Sequence, residues 1–225
     1  LILNPGSSPR VIFPEVLGAL KRALTTSDQN LRKASVLLAG IDEGTLPEDK
    51  RAALAQFKEK LPEIQQLVAQ SNGYAEFLEA LVSGGAPKRY LLLFQNSSEL
   101  RPTGGFPGTY GVVTFQNGQL KDFSVDDIYN LDGQLRDLIV PPIQLQHITP
   151  NWALRDVSWF IDFPTSAKKV MSFFRKEAGY DVDGVITVNP KLVSDILGII
   201  GPISMPEYNL TLNSDNFLAQ VQAEV

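Results

Sequence analysis

The hydrophobic spacing of this chain changes period once, at Gly84-Gly85-Ala86-Pro87, and that change narrows the folds open to it. Before the break, Leu54, Phe57, Leu61, Ile64, Val68, Ser71, Ala75, Leu78 and Val82 follow one another at alternating steps of three and four. Such a stripe predicts a long helix, or co-linear helices, packed on partner helices. Leu46-Pro47-Glu48-Asp49 starts it, with acids where the helix dipole favours them. Pro62 predicts a kink or a split, and Asn72-Gly73 a second break. Upstream, Pro14 suits a first helical turn, and Phe13, Leu17, Leu20 and Leu24 share a face. Thr25-Thr26-Ser27-Asp28 then predicts an interruption and a cap for a second helix carrying Leu31, Ala34 and Leu38. The segment reads as a structural hairpin or short bundle, or alternatively as a docking surface for another protein.

After the break the signal becomes mixed. Tyr90 to Phe94 is a continuous apolar run, which predicts a buried central strand. Gly108–Phe115 and Leu120–Val125 flank Asn117-Gly118, a strong hairpin signal. Residues 129–163, with Pro141-Pro142 and Pro150, predict a long irregular loop, a kind that is more often functional or partner-facing than filler. A helix follows from Pro164 to Ala178 with Gly179 as its stop, then a strand at Asp183–Asn189. Asn189-Pro190 opens a helix that ends at Gly201. An edge strand at Pro202–Met205 and a last helix capped by Ser214 complete the pattern. The expected fold is α/β: a layered mixed β-sheet covered by helices over residues 87–225, preceded by an N-terminal helical hairpin or bundle over residues 1–86.

Composition enters by what it excludes. A net charge of −5 and a pI of about 5.0 argue against a nucleic-acid binder, which would present a basic face. The absence of cysteine rules out disulfides, thiolate chemistry and cysteine-ligated zinc. No apolar run approaches the roughly 18 residues of a membrane span. The chain starts without methionine and reads as an excised fragment, so any membrane attachment is expected in segments outside it.

Three constellations carry candidate chemistry. In Glu99-Leu100-Arg101-Pro102-Thr103-Gly104-Gly105-Phe106, an arginine beside a Gly-Gly turn can place a guanidinium and backbone N–H groups around one anion. The bland alternative is a tight turn with Arg101 paired to Glu99. Asp126, Asp127 and Asp132 (with Asp137 beyond) form an acidic run able to ligate a hard cation such as Mg²⁺, or simply to face solvent. Trp152 and Trp159 flank Arg155-Asp156, a grouping suited to phosphate, sugar or lipid headgroups. They serve equally as anchors for the long loop, with Arg155–Asp156 a local ion pair. His147 has no metal-ligand company, and neither a P-loop, a dinucleotide fingerprint nor a G-x-S-x-G elbow occurs.

The blocks YLLLFQNSSELRPTGGFPGTYG (90–111), IYNLDGQL (128–135), NWALRDVSWFIDFPTSA (151–167) and VDGVITVNPKLVSDILGIIGPI (182–203) resemble a bacterial family of unassigned function, domain-of-unknown-function family 4012. The resemblance covers about residues 88–220, with ELRPTGGF and DFPTSA as hallmarks. Through it the chain is also similar, more distantly, to the LytR-CpsA-Psr phosphotransferases. Those enzymes move glycopolymers from a polyprenyl-pyrophosphate carrier to the cell wall.

The resemblance implies an extracytoplasmic, membrane-anchored, cell-envelope domain that binds a lipid-linked glycopolymer or another envelope component. Its alternative implication is a Mg²⁺-dependent phosphotransferase. Arg101, Asp127 and Arg155 would then be the catalytic set, and Thr103, Gly104, Gly105, Trp152 and Trp159 would bind ligand. Asp126, Asp127 and Asp132 would hold the metal. Two departures stand out: Val125-Asp126-Asp127 replaces the enzymes' Pro-Arg-Asp motif, and Gln220 and Gln222 occupy the region of their later paired arginines.

Overall fold

A computed structural model describes residues 13–223. The chain divides into two compact units. One takes the described residues up to Pro87 together with the hairpin tip Phe115–Leu120, and the other takes Lys88–Thr114 and the chain from Lys121 onward.

The first unit is a helical hairpin of α1 (Phe13–Ala39) and α2 (Glu48–Val82). The expected interruption at Thr25–Asp28 does not occur. Thr26 Oγ1 donates back to the Arg22 carbonyl at 2.9 Å, and Asp28 accepts from Arg32 one turn on at 2.7 Å, so both side chains serve the helix interior. Nor do Pro62 or Asn72-Gly73 end α2, which runs through both. Packing of Leu61, Ala75 and Val82 against α1 offsets propensity costs of about 3 kcal/mol for proline and about 1 kcal/mol for glycine. With one partner helix among the described residues, only part of the predicted stripe is buried; Phe57, Ile64 and Leu78 are exposed. Lys21 and Glu79 pair across the hairpin at 2.5 Å.

The hairpin tip has the predicted type. Asn117 and Gly118 both take positive φ, 53° and 71°, as a two-residue primed turn requires. Gly118 donates to the Val82 carbonyl at 3.0 Å, and a Cβ there would lie 2.0 Å from Pro14 Cγ. Glycine is therefore demanded twice, by the backbone angle and by the neighbour.

The second unit holds a four-stranded sheet ordered β3-β2-β1-β4, from β1 (Lys88–Asn96), β2 (Phe106–Gln116), β3 (Gln119–Asp127) and β4 (Gly184–Val188). It is mixed: β2 and β3 form the hairpin, while β1 and β4 run parallel with Leu92 opposite Ile186. Leu91 and Leu93 of the central β1 are fully buried. Their face is covered by α4 (Phe163–Ala178) through Val170, Phe173 and Phe174, and by Leu145, Trp152, Leu154 and Val157 of the long loop. Asp162 caps α4 by accepting from the Thr165 N–H at 2.9 Å, and Gly179 closes it at φ 81°. DFPTSA is thus a helix start: cap, Pro in the first turn, and buried Ser166.

Asn189-Pro190 opens α5 (Pro190–Ile200) as expected, with a cap bond to Leu192 N at 2.8 Å. The edge segment Ile203–Met205 pairs with Leu210–Leu212 as a separate two-stranded sheet, β5 and β6. The turn before α6 (Phe217–Ala223) is held by Asn213, whose Oδ1 accepts from Asp215 N and Asn216 N at 2.9 Å, rather than by Ser214. Ser214 is occupied otherwise, its carbonyl accepting from Ser194 Oγ at 2.5 Å.

Candidate functional site

Between β3 and the long loop the chain forms a short helix not expected from the sequence, α3 (Ile128–Asp132). Asp127 caps it, accepting from the Tyr129 N–H at 2.8 Å. Asp126 accepts from Asn130 Nδ2 at 2.9 Å and from its neighbour's N–H, which holds its carboxyl below the ordinary range. Asp132 lies one turn on, pointing inward. The three candidate metal ligands are therefore dispersed, two as exposed turn caps and one buried on an arginine. Among the described residues no group of three His, Asp or Glu side chains is arranged to hold an ion. As placed, Asp126, Asp127 and Asp132 do not fit a Mg²⁺ site, which needs convergent oxygens near 2.0–2.1 Å.

What the fold does gather is α3, the turn Leu154–Asp156 and the C-terminal half of α4. Arg155 donates from Nη1 to Asp132 Oδ2 at 2.6 Å, and its Nε lies 3.4 Å from Asp156 Oδ2. Its guanidinium covers the Tyr129 ring at 5.4 Å. Behind Asp132 sits Glu177, buried on α4, with Oε1 accepting the Leu154 N–H at 3.1 Å. Glu177 Oε2 is buried and receives no donor. Burial first, then the Asp132 charge, pushes the Glu177 carboxyl up to about 8. Burial also raises Asp132, but Arg155 offsets much of that at Asp132. The proton of the pair therefore belongs to Glu177, and a protonated Oε2 becomes a donor toward Asp132, which resolves its missing partner.

This pair sets a pH dependence. Unfolded Glu177 releases its proton near 4.5 and folded Glu177 near 8. Between those values the unfolded chain binds fewer protons, so stability falls as pH rises through the window and levels off above it. Thermal melts of the chain against pH are expected to show that decline, and Glu177→Gln to flatten it. A slope unchanged in the variant would remove Glu177 as its source.

Arg101 is placed differently from both expectations. Glu99 accepts from Asn96 Nδ2 at 3.2 Å and does not pair with it. Arg101 Nη1 donates to the Leu100 carbonyl at 3.0 Å, and the guanidinium lies over Phe106 at 5.0 Å. Among the described residues no carboxylate is within ion-pair distance of Arg101, although its charge reaches Asp156, where it helps offset the rise caused by burial. The rings under the two arginines are neighbours, Phe106 and Tyr129 at 6.4 Å. The loop carrying Arg101 is closed by Phe106 N donating to the Glu99 carbonyl at 3.0 Å, and Thr103 Oγ1 accepts from the buried Gln95 at 3.1 Å. Gly104 takes φ +123°, and Gly105 passes so close to β1 that a Cβ would lie 2.4 Å from the Asn96 carbonyl oxygen.

A family model described as "protein of unknown function (DUF4012)" matches residues 85–225. The chain belongs to this family. No curated protein and no solved structure matches it. The matched span of the DUF4012 domain contains every residue of the cluster around Arg155 and the whole Arg101 loop.

Within the DUF4012 domain the remaining predicted residues divide. Trp152 is a core anchor: it is buried, packs on Phe173 at 5.1 Å, and donates from Nε1 to the Asp156 carbonyl at 3.1 Å. It holds the Arg155 turn in place and is not available to a ligand. Trp159 is half-buried and lines an open groove of about 580 Å³ with Pro142, Phe160 and Ile161. Glu177, Tyr129 and Phe106 are the site residues that sequence reasoning missed. A signal for Glu177 was present: it continues the Val170, Phe173, Phe174 stripe of α4, an acid at a core position.

Proposed function

We propose that this DUF4012 domain is an extracytoplasmic, cell-envelope-associated binding module that recognises a phosphate-bearing ligand, with a polyprenyl-phosphate-linked glycopolymer as the chemical type. Support comes chiefly from Arg101. Among the described residues its guanidinium is stacked on an aromatic face and tied to a backbone carbonyl alone, on a loop that turns at Gly104 and packs Gly105 against the end of β1. Guanidinium groups in that state form strong charge-assisted bonds to phosphate oxygens. Arg155, a second cation on the neighbouring Tyr129 ring, adds positive potential but is already committed to Asp132 and Asp156. Phosphoryl transfer would ask more. Asp127, the acid assigned to it by resemblance, is used as a helix cap, so binding without transfer is the reading advanced. No helix among the described residues is long and apolar enough to cross a membrane, so the proposed anchoring rests with other segments of the full-length protein.

The test is a thermal-shift series with inorganic pyrophosphate and a short polyprenyl pyrophosphate. A ligand at about 100 times its Kd stabilises by about 2.7 kcal/mol, a rise of several degrees. Both compounds are expected to raise Tm, the prenylated one more, and Arg101→Ala to abolish the rise while keeping the unliganded Tm. No shift with either compound at about 1 mM would discard the reading, since that bounds the Kd above the range of a useful site.

A further inference from the structure

The long loop has an outer end with a chemistry of its own. It is closed on itself by one side-chain and one backbone bond: Ile139 N donates to Asn151 Oδ1 and Trp152 N to the Ile139 carbonyl, both at 2.7 Å. Inside that closure, Leu145 N donates to the Pro142 carbonyl at 2.8 Å and Thr149 N to the Leu145 carbonyl at 2.9 Å. Leu145 plugs the loop into the core. This ordered frame nevertheless holds Leu138, Val140, Ile143, Ile148 and Ile161 in solvent, each between 70% and 92% exposed. The groove lined by Pro142, Trp159, Phe160 and Ile161 opens among the same segments. Scattered exposed aliphatics are ordinary, but five on one closed loop and its adjoining turn mark a contact surface.

The charge beside it says what kind of surface. Arg155, Arg175 and Lys176 each pair with an aspartate, so the cations that set the charge beside the groove are Lys168 and Lys169. Lys168 acts on Asp162 at the groove, and Lys169 lies over the Trp152 ring at 5.8 Å. Lys176 pairs with Asp137, at the start of the loop. The aromatic side chains beside them, Trp159 and Phe160, are packed against the core, so the most exposed part of the surface is aliphatic and offers little shape for a protein partner to grip. An interfacial lipid layer asks only for apolar area next to cations.

We propose that this loop is a membrane-surface contact, in which Val140, Ile143 and Ile148 enter the interfacial layer of an anionic bilayer while Lys168 and Lys169 lie against its headgroups. The contact is independent of the anion site at Arg101.

The test is co-sedimentation of the 225-residue chain with vesicles of phosphatidylcholine alone or mixed with phosphatidylglycerol. Partition is expected to favour the anionic vesicles and to weaken with salt. Val140→Ser/Ile143→Ser/Ile148→Ser is expected to lower it about tenfold or more. All three positions are exposed, so Tm and tryptophan emission should stay unchanged. Lys168→Glu/Lys169→Glu is expected to erase the anionic preference, and Arg101→Ala to leave vesicle binding intact. Absence of partition, equal partition into both vesicle types, or partition indifferent to these variants would each overturn the proposal. So would self-association abolished by the triple variant, which would assign the surface to a second copy of the chain.

Discussion

Arg155→Ala is expected to cost the α/β unit about 3–5 kcal/mol, because it leaves the buried Asp132 carboxylate without its counter-charge. For a unit of this size that is a fall in Tm of roughly 10 °C. Both tryptophans lie in this unit, at 152 and 159, so their emission during urea unfolding reports it separately from the helical hairpin. The cost should come from the orphaned charge more than from the lost bond. Asp132→Asn in the Arg155→Ala background is therefore expected to recover a large part of it. A double variant as unstable as Arg155→Ala alone would show that the arginine acts through packing on Tyr129 instead. An Arg155→Ala protein as stable as the parent would mean that water already solvates Asp132.

Gly105→Ala should be nearly as damaging for a single methyl group. The added Cβ would sit 2.4 Å from the Asn96 carbonyl oxygen, 2.7 Å from its carbon and 3.0 Å from Ser97 N, all backbone atoms of β1 and the turn after it. A side chain could swing away; the end of a central strand cannot. A destabilisation of about 3 kcal/mol is expected, at the upper end for overpacking, together with loss of the pyrophosphate response as the loop displaces Arg101. Gly85→Ala is the control. Nothing lies within 4 Å of its Cβ position, and it should be close to neutral. Equal effects at the two glycines would point to the unfolded chain and not to the clash.

The two expected losses come from opposite kinds of information. Gly105 was visible in the sequence as half of a Gly-Gly turn, because glycine pairs punctuate chains for local reasons. The same holds for Asn117-Gly118, for Asp162 ahead of α4, and for Asn189-Pro190 ahead of α5. Local logic failed where a polar side chain had two uses. Thr26 and Asp28 looked like a cap and serve instead as a back-bond and an ion pair within one helix. Asp126 and Asp127 looked like metal ligands and are turn caps, because α3 begins at the next residue. Trp152 looked like a ligand platform and lies inside, since the irregular loop carrying it supplies one wall of the core.

By itself the sequence determined what depends on a turn or less of chain: the change from helical to strand periodicity at Gly84–Pro87, the hairpin, most of the helix caps and the Gly-Gly turn beside Arg101. Tertiary structure alone decided which charges meet. Asp132, Arg155 and Glu177 are each 22 or 23 residues from the next along the chain, and no local signal reaches that far. Packing α4 and the Leu154–Asp156 turn against α3 places two carboxyls behind one guanidinium. Burial then leaves their shared proton on Glu177, because removing charge from water costs most where the counter-ion is farthest.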